Sequence, residues 1–243
     1  MRTYEPAIHF KDVRYSIDGN PIIGPITGSF PAGQITTLVG PSGAGKTTVL
    51  KLCNGLLTPD SGGEILVEDR PIGSMEPTAL RRKVGMALQD APMVNGSVYD
   101  NLSLPLRLQK KELPETDAVS WLEDVGLPAD YLHKKATELS GGQRQKVSIA
   151  RTLVNHSDIL LMDEITSALD RGSRREIESL ITRINEKYGT TIIWITHNLE
   201  QATSIGDYTW VLIAGELVET GESGILEDPV DERVRQFVRG ELK

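Results

Sequence analysis

An α/β fold with a mainly parallel sheet is predicted by three observations. Short apolar runs at residues 35–39, 84–89, 159–162, 191–195 and 208–213 have the length of buried strands. Apolar residues at helical spacing stand between such runs, as at Val49, Leu52, Cys53 and Leu56. From about residue 91 to residue 155 strand-like runs vanish and helix signals dominate, which reads as a helical insertion into the sheet.

Taken in order, residues 8–15 alternate partially and read as a strand, closed by the turn residues Asp18-Gly19-Asn20-Pro21. The β-branched run at 35–39 ends in a glycine-rich loop, and a helix carrying Val49 and Leu52 follows. Pro59 and Ser61-Gly62-Gly63 close that unit, and residues 64–68 form another strand. In the insertion, Ala118, Trp121, Leu122 and Val125 repeat at helical spacing until Gly126 and Pro128 stop the helix. Beyond it, a helix is expected over 174–188, between the strands at 159–162 and 191–195. A last short helix is expected over 231–239.

The chain has 243 residues, with 26 Lys plus Arg against 34 Asp plus Glu, a net charge of −8. That length suits one large domain or a core with an inserted subdomain. The acidic balance is the opposite of the basic surface that nucleic acid favours, so no nucleic-acid partner is expected. The longest apolar runs, 190–196 and 208–215, are strand-sized and fall far short of a membrane span. The N-terminus lacks the apolar core of a secretory signal. A single Cys cannot form an internal disulfide, which fits a reducing compartment. His9, His133 and His156 share no metal-ligand spacing.

Three motifs carry chemistry. Gly40-Pro41-Ser42-Gly43-Ala44-Gly45-Lys46-Thr47 fits G-x-x-x-x-G-K-[ST], between a strand and a helix. Its glycines let the backbone fold tightly and aim N–H groups at phosphate oxygens. Lys46 brings a full charge to the β- and γ-phosphates, and the Thr47 hydroxyl suits Mg²⁺. The run at 159–162 leads into Asp163 and Glu164, at the carboxyl end of a strand, where ligands bind in such sheets. Asp163 is the Mg²⁺ candidate, and Glu164 the residue to orient or deprotonate water. Leu139-Ser140-Gly141-Gly142-Gln143 opens a helix whose apolar face holds Val147, Ala150 and Val154, with Arg144, Lys146 and Arg151 expected outside. Ser140 and Gln143 have capping-box spacing. The two glycines expose backbone N–H groups to an anion, a second phosphate-binding element far from the first in sequence.

With these residues in place, the chain resembles the ATP-binding cassette (ABC) ATPases, the motor subunits of ABC transporters, over nearly its whole length. Residues 40–48, ending in Thr48, match Walker A; Gln89 matches the Q-loop; residues 139–143 match the signature; residues 159–163 and Glu164 match Walker B. Ser167-Ala168-Leu169-Asp170 matches the D-loop and His197 the switch histidine. The resemblance implies a P-loop NTPase core, an N-terminal antiparallel β subdomain and an inserted α-helical subdomain. As domains, this is a single ABC ATPase domain over 1–243, with the nucleotide-binding core at 1–90 and 157–243 and the helical subdomain at 91–156.

It further implies ATP and Mg²⁺ as ligands and a nucleotide-dependent, head-to-tail homodimer. In that arrangement Ser140, Gly141, Gly142 and Gln143 of one subunit contact ATP held by the loop of the other. Tyr15 matches the position that stacks on adenine, Gln89 would ligate Mg²⁺ with Thr47 and Asp163, and His197 would reach the γ-phosphate. Asp170 would organise the subunit junction. A separate transmembrane permease subunit is implied, placing the chain in the cytoplasm on the inner face of the membrane. Residues around Pro92, Met93, Val94 and Tyr99 are candidates to face that permease.

Ile165 stands where many members have Pro, and Arg171-Gly172 where an acidic residue and Pro are usual. The stretches 163–170 and 98–102 look most like ATP-binding subunits of iron export, and also resemble phosphate importers. Other readings are a soluble ABC ATPase for iron–sulfur cluster assembly, or a small P-loop kinase. A kinase explains residues 40–47 but leaves residues 139–143 and His197 without purpose.

Overall fold

Two sheets and one helical stretch position the motifs. The structure is a computed structural model and describes residues 5–242; the first four residues and Lys243 of the 1–243 span lie outside them. The smaller sheet is antiparallel, ordered β2-β1-β4-β5. It comprises β1 (Pro6–Ile17), β2 (Asn20–Pro31), β4 (Glu64–Val67) and the short β5 (Arg70–Pro71). Asp18 and Gly19 make the β1–β2 turn with φ of 50° and 80°, the left-handed pair that matches strand twist in a tight hairpin.

The larger sheet runs β10-β9-β3-β8-β7-β6. Its members are β3 (Ile35–Val39), β6 (Val84–Ala87), β7 (Ile159–Asp163), β8 (Thr191–Ile195), β9 (Tyr208–Ile213) and β10 (Glu216–Glu222). The five strands from β6 to β9 are parallel, and β10 pairs antiparallel with β9 at the edge. β3, β8 and most of β7 are buried throughout, as parallel strands covered on both faces must be.

Four helices belong with these sheets: α1 (Lys46–Cys53), α2 (Pro77–Lys83), α6 (Arg171–Tyr188) and α7 (Leu199–Ile205). Between β6 and β7 lie α3 (Val98–Leu108), α4 (Glu115–Asp124) and α5 (Gly141–Leu153), and α8 (Glu232–Val238) follows near the end. One core lies on the helical side of the large sheet, around Trp194, Leu160, Val147 and Ile177. A second fills the space between the two sheets and α1. There Phe30 stacks on Trp210 at 4.0 Å and Phe10 meets both edge-on. Cys53 is fully buried in this second core, a small hydrophobe.

Several local expectations are corrected. α1 stops at Cys53, so Leu56 is not on its buried face and stands half exposed. β6 ends at Ala87, two residues short of Gln89. α6 begins at Arg171, three residues early, because Asp170 caps it by accepting the amides of Gly172 and Ser173. Arg144, Lys146 and Arg151 are half-buried, not outside. Arg144 donates to the Leu139 carbonyl, Lys146 pairs with Glu176 at 2.7 Å, and Arg151 donates to Asn101. Their long stems cover neighbouring apolar surface while the heads find acceptors. Tyr99 faces inward, packed on the helical core with its hydroxyl donating to the Leu113 carbonyl.

Candidate active site

The loop after β3 is shaped by its backbone. Gly40 has a φ of 149°, and a Cβ there would lie 1.9 Å from the Leu212 carbonyl oxygen, so no other residue fits. Pro41, Ser42, Gly43 and Ala44 carry the chain round to Gly45, which sits left-handed at the start of α1. The first residues of α1 are Lys46, Thr47 and Thr48, so the loop faces the positive end of that helix. Lys46 is buried, and its Nζ donates to the Gly40 and Pro41 carbonyls at 2.8 Å each. Burial lowers its pKa, against the opposing pull of Glu164 and Asp163.

Asp163 ends β7 beside this helix, and Thr47 Oγ1 donates to its Oδ1 at 3.2 Å. Burial is the largest influence on Asp163 and raises its pKa, with Glu164 adding to the rise. The Thr47 hydrogen bond, Lys51 and Lys46 work against it. A hydroxyl and a carboxylate brought together on a partly desolvated surface form a hard-oxygen pair, the donor set that suits Mg²⁺.

Glu164 has a φ of 50°, an uncommon conformation for this residue and the kind of backbone strain that collects at functional sites. Its Oε1 lies 2.6 Å from His197 Nε2, which projects from the segment after β8. Its carbonyl accepts from the amide and the hydroxyl of Ser167. Lys46, Thr47, Asp163, Glu164 and His197 thus converge from the carboxyl ends of β3, β7 and β8.

Gln89 is exposed, its amide donating to Ser167 Oγ at 3.0 Å. Tyr15 is half-buried on β1, packed against the core between the sheets. Ser140 caps α5 by accepting the Gln143 amide, and Gln143 Oε1 accepts the Ser140 amide, the reciprocal box its spacing predicts. Gln143 also donates to the Tyr131 hydroxyl. Ser140 and Gly141 are exposed, while Gly142 is buried and packs closely on Ser173. Every side-chain hydrogen bond of Ser140 and Gln143 among the described residues stays within the stretch between β6 and β7.

Two positioning residues escape sequence reasoning. Gln201 accepts from Thr196 and donates to Glu178 at 2.6 Å and to Thr166 at 3.4 Å, tying the segments that hold Glu164 and His197 to α6 and α7. Gln145, buried in α5, donates to the carbonyl of Leu88, the residue before Gln89. The signal for both is a glutamine on an otherwise apolar helix face, which sequence alone does not distinguish from a solvated one.

A profile of the ABC transporter family matches residues 23–167. The "Putative ABC transporter ATP-binding protein YjkB" of Bacillus subtilis (strain 168) is 43% identical over 240 residues, which is 97% of this chain and 95% of that protein. The structure of cbiO1 from Clostridium perfringens, part of the ABC transporter complex cbiONQ, superposes with a TM-score of 0.84 at 28% identity, covering 98% of this chain and 96% of that one. The dimeric structure of MJ0796, a bacterial ABC transporter cassette, gives a TM-score of 0.77 at 27% identity over 89% and 98%.

Proposed function

The chain belongs to the ABC transporter family, and we propose that it works as a paired, Mg²⁺-dependent cassette seated on a separate membrane subunit. It is the ATP-binding subunit of such a transporter and hydrolyses ATP to ADP and phosphate. The observation that carries the paired reading is the separation of two phosphate-binding elements. One converges on Lys46, Asp163 and Glu164. The other, at the start of α5, keeps Ser140 and Gly141 exposed and bonds only within its own helical stretch. A second copy, head to tail, brings the second element to the first.

In that assembly the amides of residues 43–48 and Lys46 hold the phosphate chain. Thr47 and Asp163 would hold Mg²⁺, with the Gln89 side chain as a further oxygen donor, and the ion would neutralise charge on the phosphates. Glu164 takes a proton from the attacking water, and His197 fixes the direction of its carboxylate. Ser140, Gly142 and Gln143 of the partner copy add donors where charge develops on the transferred phosphoryl. Tyr15 stacks on the adenine.

The neighbours support the wider assembly: cbiO1 is part of a transporter complex, and the MJ0796 cassette is a dimer. None of the described helices is long and apolar enough to cross a membrane. We read residues 91–156 as the helical subdomain that meets the membrane partner. The residues that resemble iron-export and phosphate-import cassettes make internal contacts: Asp100 completes the cap of α3, Asn101 bonds Val94 and Ser97, and Asp170 caps α6. They record how the cassette is built, so cargo choice is assigned to the membrane partner. The test is the concentration dependence of ATP hydrolysis. Specific activity rising with concentration supports pairing, and full activity in dilute monomer overturns it.

A further inference from the structure

β1 is irregular where Tyr15 stands. Its pairing with β2 shifts register between Val13 and Tyr15 and again between Tyr15 and Ser16, so the ladder is disturbed on both sides of the tyrosine. On its other edge β1 pairs with β4 only from Ile8 to Lys11, and that pairing stops short of Tyr15. The backbone around Tyr15 therefore needs partners from outside the two ladders. Asp60, in the loop between α1 and β4, supplies them. Its amide donates to the Arg14 carbonyl at 2.8 Å. Its Oδ1 accepts the Ser16 amide at 3.3 Å, and its Oδ2 accepts the Ser16 hydroxyl at 2.8 Å. One residue thus grips the chain on both sides of Tyr15. Asp60 is half-buried, and among the described residues its carboxylate bonds only Ser16.

Gly63 shows how closely this loop lies on β1. A Cβ there would meet the Asp12 carbonyl oxygen at 2.6 Å and Val13 Cα at 2.8 Å, so only glycine permits the approach. The same strands fix Tyr15 relative to the phosphate loop. Tyr15 pairs with Ile23 of β2. Ile23 packs against Gly45, where a Cβ would come within 2.5 Å of Ile23 Cδ1. Gly45, Ile23, Tyr15 and the residues that Asp60 grips therefore run in one connected series. Lys46 follows Gly45 at one end of it, and Asp60 stands at the other.

We propose that Asp60 is a positioning residue for the nucleotide base: by holding Arg14 and Ser16 it fixes where the Tyr15 ring meets the adenine. This rests on the stacking reading of Tyr15 above and adds the residue that sets the platform. A stacked ring contributes fully only when its plane is already held where the base arrives, because ordering a free segment on binding opposes affinity. Asp60 does that ordering before ATP binds. Its hydrogen bonds reach neither the phosphate loop nor Asp163 nor Glu164, so its effect belongs to the adenosine end of the ligand.

The test compares ADP with inorganic pyrophosphate, which differ by the adenosine, in isothermal titrations of the full chain. Tyr15→Ala removes the whole platform and should weaken ADP by about ten-fold, with pyrophosphate unchanged. Asp60→Ala should weaken ADP by roughly three- to ten-fold, again with pyrophosphate unchanged. In steady-state hydrolysis it should raise KM for ATP by a similar factor, while kcat at saturating ATP moves far less. Asp60→Asn is the conservative rescue. Its oxygen still accepts the Ser16 amide, and its NH₂ donates to the Ser16 hydroxyl turned round, so ADP affinity should stay within about two-fold of wild type. In the double variant, Asp60→Ala should add nothing to Tyr15→Ala, because Asp60 acts through Tyr15. Should Asp60→Ala fail to fold by circular dichroism, Ser16→Ala deletes the hydroxyl bond alone and carries the same comparison with a loss of about two- to three-fold.

Equal losses for ADP and pyrophosphate overturn the proposal and leave Asp60 as a staple of its loop. Full additivity in the double variant, or a loss in Asp60→Asn as large as in Asp60→Ala, overturns it too. If Tyr15→Ala weakens ADP and Asp60→Ala does not, only the role of Asp60 is removed. If Tyr15→Ala itself leaves ADP affinity intact, the stacking reading fails and this proposal falls with it.

Discussion

Glu164 Oε1 lies 2.6 Å from His197 Nε2, joining the residue after β7 to the segment after β8. The strained backbone of Glu164, at φ 50°, and this contact together aim one carboxylate. Glu164→Gln keeps the shape and removes the proton acceptor. Hydrolysis should fall by about 10²–10⁴-fold while ATP binding persists. Size-exclusion chromatography with ATP should then show a dimer that wild type does not accumulate. His197→Ala leaves the base present but unaimed, and should lower turnover less than Glu164→Gln with ATP affinity unchanged. Unaltered turnover in Glu164→Gln would refute the base.

Asp163 makes a pH-dependent prediction. Its folded pKa is raised above the ordinary 3.8, chiefly by burial. The folded state therefore holds this proton more tightly than the unfolded chain does. The stability it contributes is complete below the unfolded pKa and is lost as pH rises through the folded one. Asp163→Asn removes that loss. Ligand-free Asp163→Asn should melt higher than wild type at pH 7, and the difference should vanish at acid pH. Each kcal/mol is worth about 2–4 °C in a chain of this size. Mg·ATP should raise the melting temperature of wild type more than that of the variant, which keeps residues 40–48 but loses a metal-holding carboxylate. A variant less stable than wild type at pH 7 without ligand would show that the Thr47 bond, not burial, decides.

β3, β8 and β9 are legible to the residue, because strands buried on both faces read as short runs of β-branched and apolar residues. The edges are not legible. β2 contains Pro21, Gly24, Pro25 and Gly28 and pairs with β1 through several register shifts, which is tolerable only at a sheet edge. β10 carries Glu216, Glu219 and Glu222 for the same reason: one side of it faces water. In the site, the phosphate loop and the Asp163–Glu164 pair are readable because each is local. The Glu164–His197 contact, the Gln89–Ser167 bond and the clamp by Gln201 join segments separated by 33, 78 and 35 residues, and no spacing rule reaches that far. The basic run at residues 81–83 looks like a solvated face in sequence. In the fold Lys83 pairs with Glu68 and Asp158, while Arg81 and Arg82 line a groove.

Gly142 has a packing role besides any contact with nucleotide. A Cβ there would lie 3.0 Å from Ser173 Cβ and Oγ, and Ser173 is itself held by Asp170 at 2.6 Å. Gly142→Ala should lower the melting temperature by crowding α5 against α6. Ser173→Gly costs roughly 1 kcal/mol alone as a helix glycine but makes room. The double variant should be more stable than the sum of the two singles predicts, a positive coupling in a thermal double-mutant cycle. Strict additivity would mean that the helices shift apart at no cost.

Ser140 separates the capping role of the second phosphate element from its role across a dimer. Within one chain the Ser140 hydroxyl accepts the Gln143 amide and starts α5. Ser140→Ala removes that cap and should cost about 1 kcal/mol of stability. Ser140→Arg removes the cap equally but adds a long cation on an exposed face. If Ser140 only caps a helix, the two variants should share one ATPase rate and one stability. If it also meets ATP held by a second copy, Ser140→Arg blocks the approach of that copy. Turnover should then collapse while ATP still binds the monomer, because residues 40–48 are untouched. Equilibrium binding of a fluorescent ATP analogue beside steady-state hydrolysis separates the cases. Intact hydrolysis in Ser140→Arg means that one chain completes its own site.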